Sequence, residues 1–349
     1  MHKILFVRTD RLGDCLMTIP VIHCLRQNYP QSLIHVLCDQ KTQEVFCYHL
    51  DVSEVLAYDT TAFKSWSSKW NLYWRLKREK FKCIIISNPS KMFHVMAFLL
   101  GIPIRVGYDR KSGFLLNRKV EDKSASSTQH QIDMNLALVK AICPKSWNRT
   151  IQLGNELHPQ YQMVVKEKGL LIEKKIIVLH LTSSNKEKEI NLDLFKALLQ
   201  LIFTKKRYQV VLVGQERRDE IQKVLNFEKE GARFVNLIGQ TNLTELSIIL
   251  NEAHCVVSVD SGPFHLAWMQ RTPTIGIFLP DAIGSNPTRW GVYPSFAPHV
   301  HFYEPAKELT AQKILAAIES LIGTHTGTYL VASRDDHPQS PQADPDAGE

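Results

Sequence analysis

The chain has 349 residues, 44% of them hydrophobic and 22% charged. That length accommodates two domains of about 150 residues each, and the composition excludes a disulfide-stapled miniprotein, a fibrous repeat and global disorder. The formal charge is +7; residues 333–349 carry a net −4, which leaves +11 on the body and favours anionic partners such as nucleotides, phosphorylated glycans, anionic membranes or nucleic acid.

In chain order, short β-branched runs alternate with longer segments of helical period, the pattern of stacked βα units around a parallel sheet. Strands are predicted at 3–8, 33–38, 54–58, 83–87 and 105–108, with helices at 14–27, 42–50, 69–80, 91–100 and 129–142. The pattern lapses over 143–160 into Pro, Asn, Gly and Ser, which reads as a linker. A second series follows, with strands at 175–181, 209–213, 234–238, 255–259 and 274–278 and helices at 192–203, 216–225, 243–251, 264–270 and 309–322. The expected architecture is α/β, two Rossmann-like parallel-sheet lobes facing a cleft, with lobes at 1–155 and 156–323 and a disordered tail at 324–349.

Seven cysteines, mostly inside apolar runs and without a Cys-x-x-Cys pair, predict reduced, buried thiols in a cytosolic protein. Ile4-Leu5-Phe6-Val7 follows the N-terminus without the apolar region of a secretory signal, so secretion is not expected. The longest apolar stretch, 92–104, is interrupted by His94, Gly101 and Pro103, and it is shorter than the roughly 20 residues a spanning helix needs. Any membrane contact is therefore expected to be peripheral.

Four loops have residues suited to chemistry. The first, Arg8-Thr9-Asp10-Arg11-Leu12-Gly13-Asp14, follows the first strand, and strand carboxyl ends face the ligand crevice in such sheets. Gly13 permits a tight turn; Asp14 either acts in the cleft or caps the next helix. The loop contains neither Gly-x-Gly-x-x-Gly nor Gly-x-x-x-x-Gly-Lys-Ser/Thr, which argues against a dinucleotide oxidoreductase or a P-loop NTPase. Arg8, Arg11 and Lys91 are the candidate cations for an acceptor or a phosphate. In the second loop, Asp260-Ser261-Gly262-Pro263-Phe264-His265, Ser261 and Gly262 open a helix whose free amides suit a diphosphate. Asp260 suits sugar hydroxyls, and His265 either donates to the ligand or packs within its helix. The short likeness of this string to a serine-protease nucleophile segment is rejected, because it joins a strand to a helix in an α/β chain. The third loop offers Thr182, Ser183, Lys186 and Lys188 to a phosphate. In the fourth, Gly214-Gln215-Glu216, the acid either takes ribose hydroxyls or favours the helix start.

Together these residues resemble the bacterial lipopolysaccharide heptosyltransferases, glycosyltransferase family nine, of the GT-B fold. The likeness spans residues 3–280 and rests on Arg-Thr-Asp-Arg-Leu-Gly-Asp (8–14), Asp-Ser-Gly-x-x-His (260–265), Val-Leu-Val-Gly-x-Glu (211–216), Leu-Ile-Gly-Gln-Thr-Asn-Leu-x-Glu-Leu (237–246) and Arg-Val-Gly-Tyr-Asp-Arg (105–110). The resemblance implies inverting transfer from a nucleotide-diphosphate sugar, typically ADP-heptose, to a lipopolysaccharide core acceptor at the cytoplasmic face of the inner membrane. It implies Asp14 as general base, Thr182, Ser183, Lys188, Ser261, Gly262 and His265 around the diphosphate, and Glu216 at the nucleoside. It also implies no metal and no cofactor beyond the donor substrate. Lys188-Glu189-Ile190-Asn191 departs from the family's usual string after the phosphate loop, leaving Lys186 as an alternative to Lys188. Thr241, at the adenine-contact position, does not identify the base. Alternatives are a GT-B enzyme with another nucleotide sugar, an epimerase of similar fold, or a nonenzymatic anion-binding protein.

Residues 63–82 interleave Trp66, Trp70, Tyr73 and Trp74 with seven Lys and Arg. This segment reads either as a basic aromatic face for an anionic membrane or phosphorylated acceptor, or as a solvated helix with a core-facing aromatic stripe. No RNA-binding module accompanies the charge, so nucleic acid is not expected as a partner.

Overall fold

A computed structural model of the chain describes residues 3–47, 49–61, 65–88, 90–123, 129–143, 160–180, 182–183, 185–215, 221, 227–282, 284–294 and 296–324. The predicted linker core (144–159), most of the helix predicted at 216–225, and the tail beyond 324 lie outside them.

The described strands form two six-stranded, all-parallel sheets. The first holds β1 (Lys3–Val7), β2 (Leu33–Asp39), β3 (Glu54–Tyr58), β4 (Cys83–Ile86), β5 (Ile104–Tyr108) and β6 (Arg118–Val120), in spatial order β3-β2-β1-β4-β5-β6. The second holds β7 (Lys175–His180), β8 (Tyr208–Val213), β9 (Phe234–Asn236), β10 (Cys255–Val259), β11 (Thr274–Phe278) and β12 (His299–Tyr303), in order β12-β11-β10-β7-β8-β9. Both repeat the nucleotide-binding order, in which the winding direction reverses between the first and fourth strands of the lobe and opens a crevice beyond their carboxyl ends. The two-lobed α/β prediction is thus met, with one added edge strand per sheet.

The intervening helices are α1 (Leu12–Leu16), α2 (Ile19–Asn28), α3 (Glu44–Cys47), α4 (Trp66–Glu79), α5 (Lys91–Leu99) and α6 (Gln131–Lys140) in the first half. They continue with α7 (Tyr161–Glu167), α8 (Leu192–Phe203), α9 (Leu243–Glu252), α10 (Gly262–Met269), α11 (Pro287–Trp290) and α12 (Ala311–Thr324). The helix predicted at 14–27 is two helices. Thr18 is the N-cap of α2 and its hydroxyl donates to the Cys15 carbonyl at 2.6 Å, while Pro20, which has no N–H for the preceding turn, stands at the start of α2. The helix predicted at 42–50 shrinks to a 3₁₀ turn (Gln40–Thr42) and the single turn of α3.

Alternation along the strands sends successive side chains to opposite faces and sorts the interior into three cores. Leu5, Val7, Ile84 and Ile86 pack with Leu72 and Leu76 of α4 and Phe93 and Met96 of α5 on the outer face of the first sheet. Ile177, Leu179, Val257 and Val259 pack with α8 and α12 on the outer face of the second. The inner faces share one core: Ile4, Phe6, Ile34 and Val36 from one sheet and Ile176, Val178, Val211 and Val256 from the other belong to a single apolar cluster.

That continuity requires the lobes to approach closely where α1 meets α10. A Cβ built on Gly13 would lie 2.5 Å from His265 Cδ2, and one on Gly262 would lie 2.7 Å from Leu12 Cδ2, so neither position admits a side chain without displacement. Polar bonds reinforce the junction. Thr244 N–H donates to Glu44 Oε2 (3.2 Å), Arg289 to Gln131 Oε1 (2.8 and 3.0 Å), the His130 ring to the Gly291 carbonyl (2.9 Å) and Tyr293 Oη to Asp133 Oδ1 (2.8 Å). Gly13→Ala is expected to destabilise the fold by about 1–3 kcal/mol through overpacking in a denaturant titration. Gly323→Ala, where a Cβ meets open space, is expected to be neutral or mildly stabilising.

Candidate active site

In the first lobe, a buried guanidinium organises the crevice. Arg8, 4% exposed, follows the last residue of β1. Its Nη1 donates to Ser87 Oγ (2.9 Å) and the Ser87 carbonyl (3.1 Å), bridging to the chain just beyond β4 at the point where the winding reverses. Its Nη2 donates to Asp14 Oδ1 at 2.5 Å, and its Nε faces Asp10 Oδ1 at 2.6 Å. Burial alone would lower the Arg8 pKa, but Asp10 and Asp14 raise it above its ordinary value, so the group stays a cation. Burial, with a further push from Asp14 and only part relief from Arg8, raises the Asp10 carboxyl to about 6.

Asp14 does not cap its helix. Arg11 holds the N-cap position without a side-chain cap bond, and Asp14 lies in the first turn of α1 with its side chain a quarter exposed. Arg11 and Lys91 are exposed; Lys91 opens α5 after β4, on the same strand edge as Arg8. Of the three candidate cations, only Arg8 is bonded to the carboxylates of this loop among the described residues.

Residues the sequence reading passed over hold Arg8 in place. Asn135, wholly buried, accepts through Oδ1 from Ser87 Oγ (3.4 Å), Gln131 Nε2 (3.1 Å) and Tyr108 Oη (3.3 Å), and donates to the Met17 carbonyl (3.0 Å). Gln131 in turn accepts from Arg289 of the second lobe. Arg289, whose pKa burial lowers, also feels the charge of Asp14. The available signal was a pair of amides four residues apart on the buried face of α6, where an apolar helix would present hydrocarbon.

The second lobe answers with a buried carboxylate. Asp260, just beyond β10, has a side chain 3% exposed; its Oδ2 accepts from Lys188 Nζ at 2.5 Å and its Oδ1 lies 3.6 Å from His265 Nε2. Trp268 Nε1 donates to His265 Nδ1 (3.4 Å), which puts the ring proton on Nε2, toward Asp260. Burial pushes the Asp260 carboxyl up, but His265 and Lys188 more than offset it and hold it below the ordinary carboxylate value. Lys186 is exposed, so of the two candidate lysines it is Lys188 that turns into the crevice.

Ser261 holds the N-cap position of α10 in an extended conformation without a side-chain cap bond; its Oγ lies 3.0 Å from His180 Nδ1, with Ser258 Oγ at 3.2 Å from the same nitrogen. Gly262 begins α10, where helix geometry leaves backbone amides free for a ligand. Thr182 is buried beyond β7; Ser183 accepts from the Asn185 amide through Oγ (3.2 Å) and donates its own amide to Glu189 Oε1 (3.1 Å). Thr241 is half-buried on the same strand edge, after β9. Glu216 lies outside the described residues.

Among the described residues, the one cluster with metal-ligand spacing is His35, Glu54 and Glu79. It sits at the amino ends of the strands, away from the crevice, and Lys3 pairs with Glu79 at 2.5 Å. No helix among the described residues is long and apolar enough to cross a membrane.

Two nucleotide-binding-type lobes with facing loops at their reversal points define a two-lobed nucleotide-binding architecture, and comparison with known proteins gives the family. The profile of Glycosyltransferase family 9 (heptosyltransferase) matches residues 69–318. The lipopolysaccharide core heptosyltransferase OpsX of Haemophilus influenzae is 24% identical over 313 residues, 85% of this chain and 84% of that protein. Lipopolysaccharide heptosyltransferase 2 of Escherichia coli is 24% identical over 299 residues, 82% of this chain and 85% of that one. The solved structure of E. coli ADP-heptose lps heptosyltransferase II matches with a TM-score of 0.78 at 19% identity, covering 94% of this chain and 100% of that chain. That of E. coli heptosyltransferase WaaC with ADP matches at 0.72 and 19% identity, covering 91% and 99%. The chain belongs to glycosyltransferase family 9 and is a glycosyltransferase of the GT-B fold.

Burial holds His130, His180, His254 and His301 down at about 4. Unfolding restores them to about 6.5, so between pH 6.5 and 4 the unfolded chain binds more protons and stability falls as pH drops. Asp10 opposes this with one group whose folded value is raised. Urea midpoints are expected to be level above pH 7 and to fall steadily from pH 6.5 to 4.5; a flat profile there would contradict these neutral buried histidines.

Proposed function

We propose that this glycosyltransferase moves heptose from ADP-heptose to a lipopolysaccharide core acceptor by a single inverting displacement, with Asp14 as general base. The observation that carries the reading is the apposition of two loops. Gly13, beside Asp14, lies against His265, and His265 faces the Asp260–Lys188 pair. A base in one lobe thereby meets an anion-binding helix start in the other. The relatives named for lipopolysaccharide heptosyl transfer, and the neighbour solved with ADP, support the choice of acceptor and donor.

In this mechanism the acceptor hydroxyl loses its proton to the Asp14 carboxylate as its oxygen bonds to the anomeric carbon, and the bond from that carbon to the diphosphate oxygen breaks. Negative charge grows on the departing diphosphate. The amides opening α10, the Ser261 hydroxyl and the Lys188 ammonium are the groups placed to stabilise it. Thr182 and Ser183 line the same loop, Glu216 and Thr241 are assigned to the nucleoside, and His265 orients Asp260. Arg8 holds one oxygen of Asp14 and aims the carboxylate.

Release of ADP, UDP and GDP from a panel of nucleotide sugars, with and without truncated lipopolysaccharide, tests the reading. ADP release from ADP-heptose that requires the acceptor is expected; release from a different donor would overturn the assigned sugar. Asp14→Asn is expected to lower turnover by about 10²–10⁴-fold while nucleotide binding by calorimetry persists, and near-normal turnover would rule out the base. Asp10 supplies a pH signature. Its protonation near 6 removes one of the two carboxylates that fix the Arg8 guanidinium and, through it, the position of Asp14, so the rate is expected to fall as pH drops through 6. Asp10→Asn mimics the protonated state and should give a lower rate without the step; an unchanged step would assign it to another group.

A further inference from the structure

Helix α4 presents three faces. Leu72 and Leu76 enter the outer core of the first sheet, which overturns the alternative of a core-facing aromatic stripe. Trp66, Trp70 and Trp74 instead recur every fourth residue on the outside, 84%, 59% and 41% exposed. The rings tile one another: Trp70 stacks on Tyr73 at 5.7 Å, and Trp74 meets each edge-on at 5.6 Å. Cations seam the surface, with Lys69 5.6 Å from the Trp66 ring and Lys77 5.0 Å from that of Trp74. Beside the stripe, Asn71, Trp74, Arg75, Arg78 and Glu79 line an open groove of about 430 Å³.

Two further observations narrow the partner. Residues 65–82 hold six bases and one acid, and that acid, Glu79, is paired with Lys3, so the segment keeps a strong net positive charge. The neighbouring α5 packs on the same outer core and exposes Phe98 and Leu99, with the Arg105 guanidinium 5.7 Å from the Phe98 ring. Indole rings with basic side chains between them match the headgroup layer of a bilayer, where amphipathic rings settle at the interface and Lys and Arg meet lipid phosphates. Self-stacked rings bridged by lysines are already partnered and are not splayed to receive bases.

We propose that α4 docks this chain on an anionic phospholipid bilayer, with Trp66, Trp70 and Trp74 entering the headgroup layer and Arg75 and Arg78 binding lipid phosphates across the groove. The proposal stands independently of the donor and acceptor assigned above. It is tested with the full chain and vesicles of phosphatidylcholine alone or with about one-third phosphatidylglycerol, where surface charge provides the attraction. Sedimentation with the anionic vesicles, weakened by salt, is expected, together with a blue shift of tryptophan emission and its quenching by brominated lipid. Replacing Trp66, Trp70 and Trp74 together with serine is expected to weaken vesicle binding by about tenfold or more. Arg75→Gln with Arg78→Gln should weaken it by about tenfold. Met163→Ser, an exposed apolar change in the second lobe, should leave it intact, and all variants should keep the wild-type melting temperature. The proposal is overturned if the wild type ignores anionic vesicles, if either α4 variant binds like wild type, or if heparin or RNA competes fully with no emission shift in vesicles.

Discussion

Where α1 meets α10, neither Gly13 nor Gly262 has room for a side chain. The near contact of Gly13 with His265 and of Gly262 with Leu12 sets how closely the two sheets approach, and the rest of the site follows from that spacing. It lets the inner faces share one core. It also withdraws Arg8 and Asp260 from water, and only in such low-dielectric surroundings do the charges of each loop act strongly on one another.

The two loops are electrostatic opposites built on the same topology. Where the first sheet reverses, a buried cation holds two carboxylates; where the second reverses, a buried anion holds a lysine and faces a histidine. Buried ion pairs add little net stability over an apolar replacement, yet removing one partner is strongly destabilising. Their contribution here is geometric: each fixes long side chains on loops that lack regular backbone pairing. The Ser87–Asn135–Gln131–Arg289 chain of hydrogen bonds then couples the cationic centre of one lobe to the other.

Much of this was legible because it depends on local periodicity. Eight of the ten strands read from the sequence are interior strands with apolar runs, and the other two, β3 and β9, are edge strands that still carry β-branched or aromatic residues. The two that escaped notice, β6 and β12, are edge strands: Arg118-Lys119-Val120 and His299-Val300-His301-Phe302-Tyr303 face solvent in part and carry no apolar run. The break at Thr18 was hidden because the residues either side of it are apolar and buried in both helices. At the site, Asp14 and the Asp260–His265 loop could be placed from strand ends and family resemblance. Lys188 could not be separated from Lys186, because a 3₁₀ turn rather than strand or helix periodicity decides which one points inward. Likewise, the tryptophan stripe had two readings until two leucines were seen to fill the core beneath it.

The shared inner core has a consequence for motion. Lobes joined only by a linker swing apart freely, exposing mostly polar cleft walls. Here, separating the sheets enough to admit a bulky substrate would uncover hydrocarbon from both, so wide opening is opposed by the same force that folds each lobe. Small sliding of α1 over α10 meets less resistance than a hinge, and the glycines at that junction supply the smooth surface such shear requires. Access to the cleft is thereby tied to how far the apolar seam yields, because the residues that close the lobes are the ones that would have to part to open them.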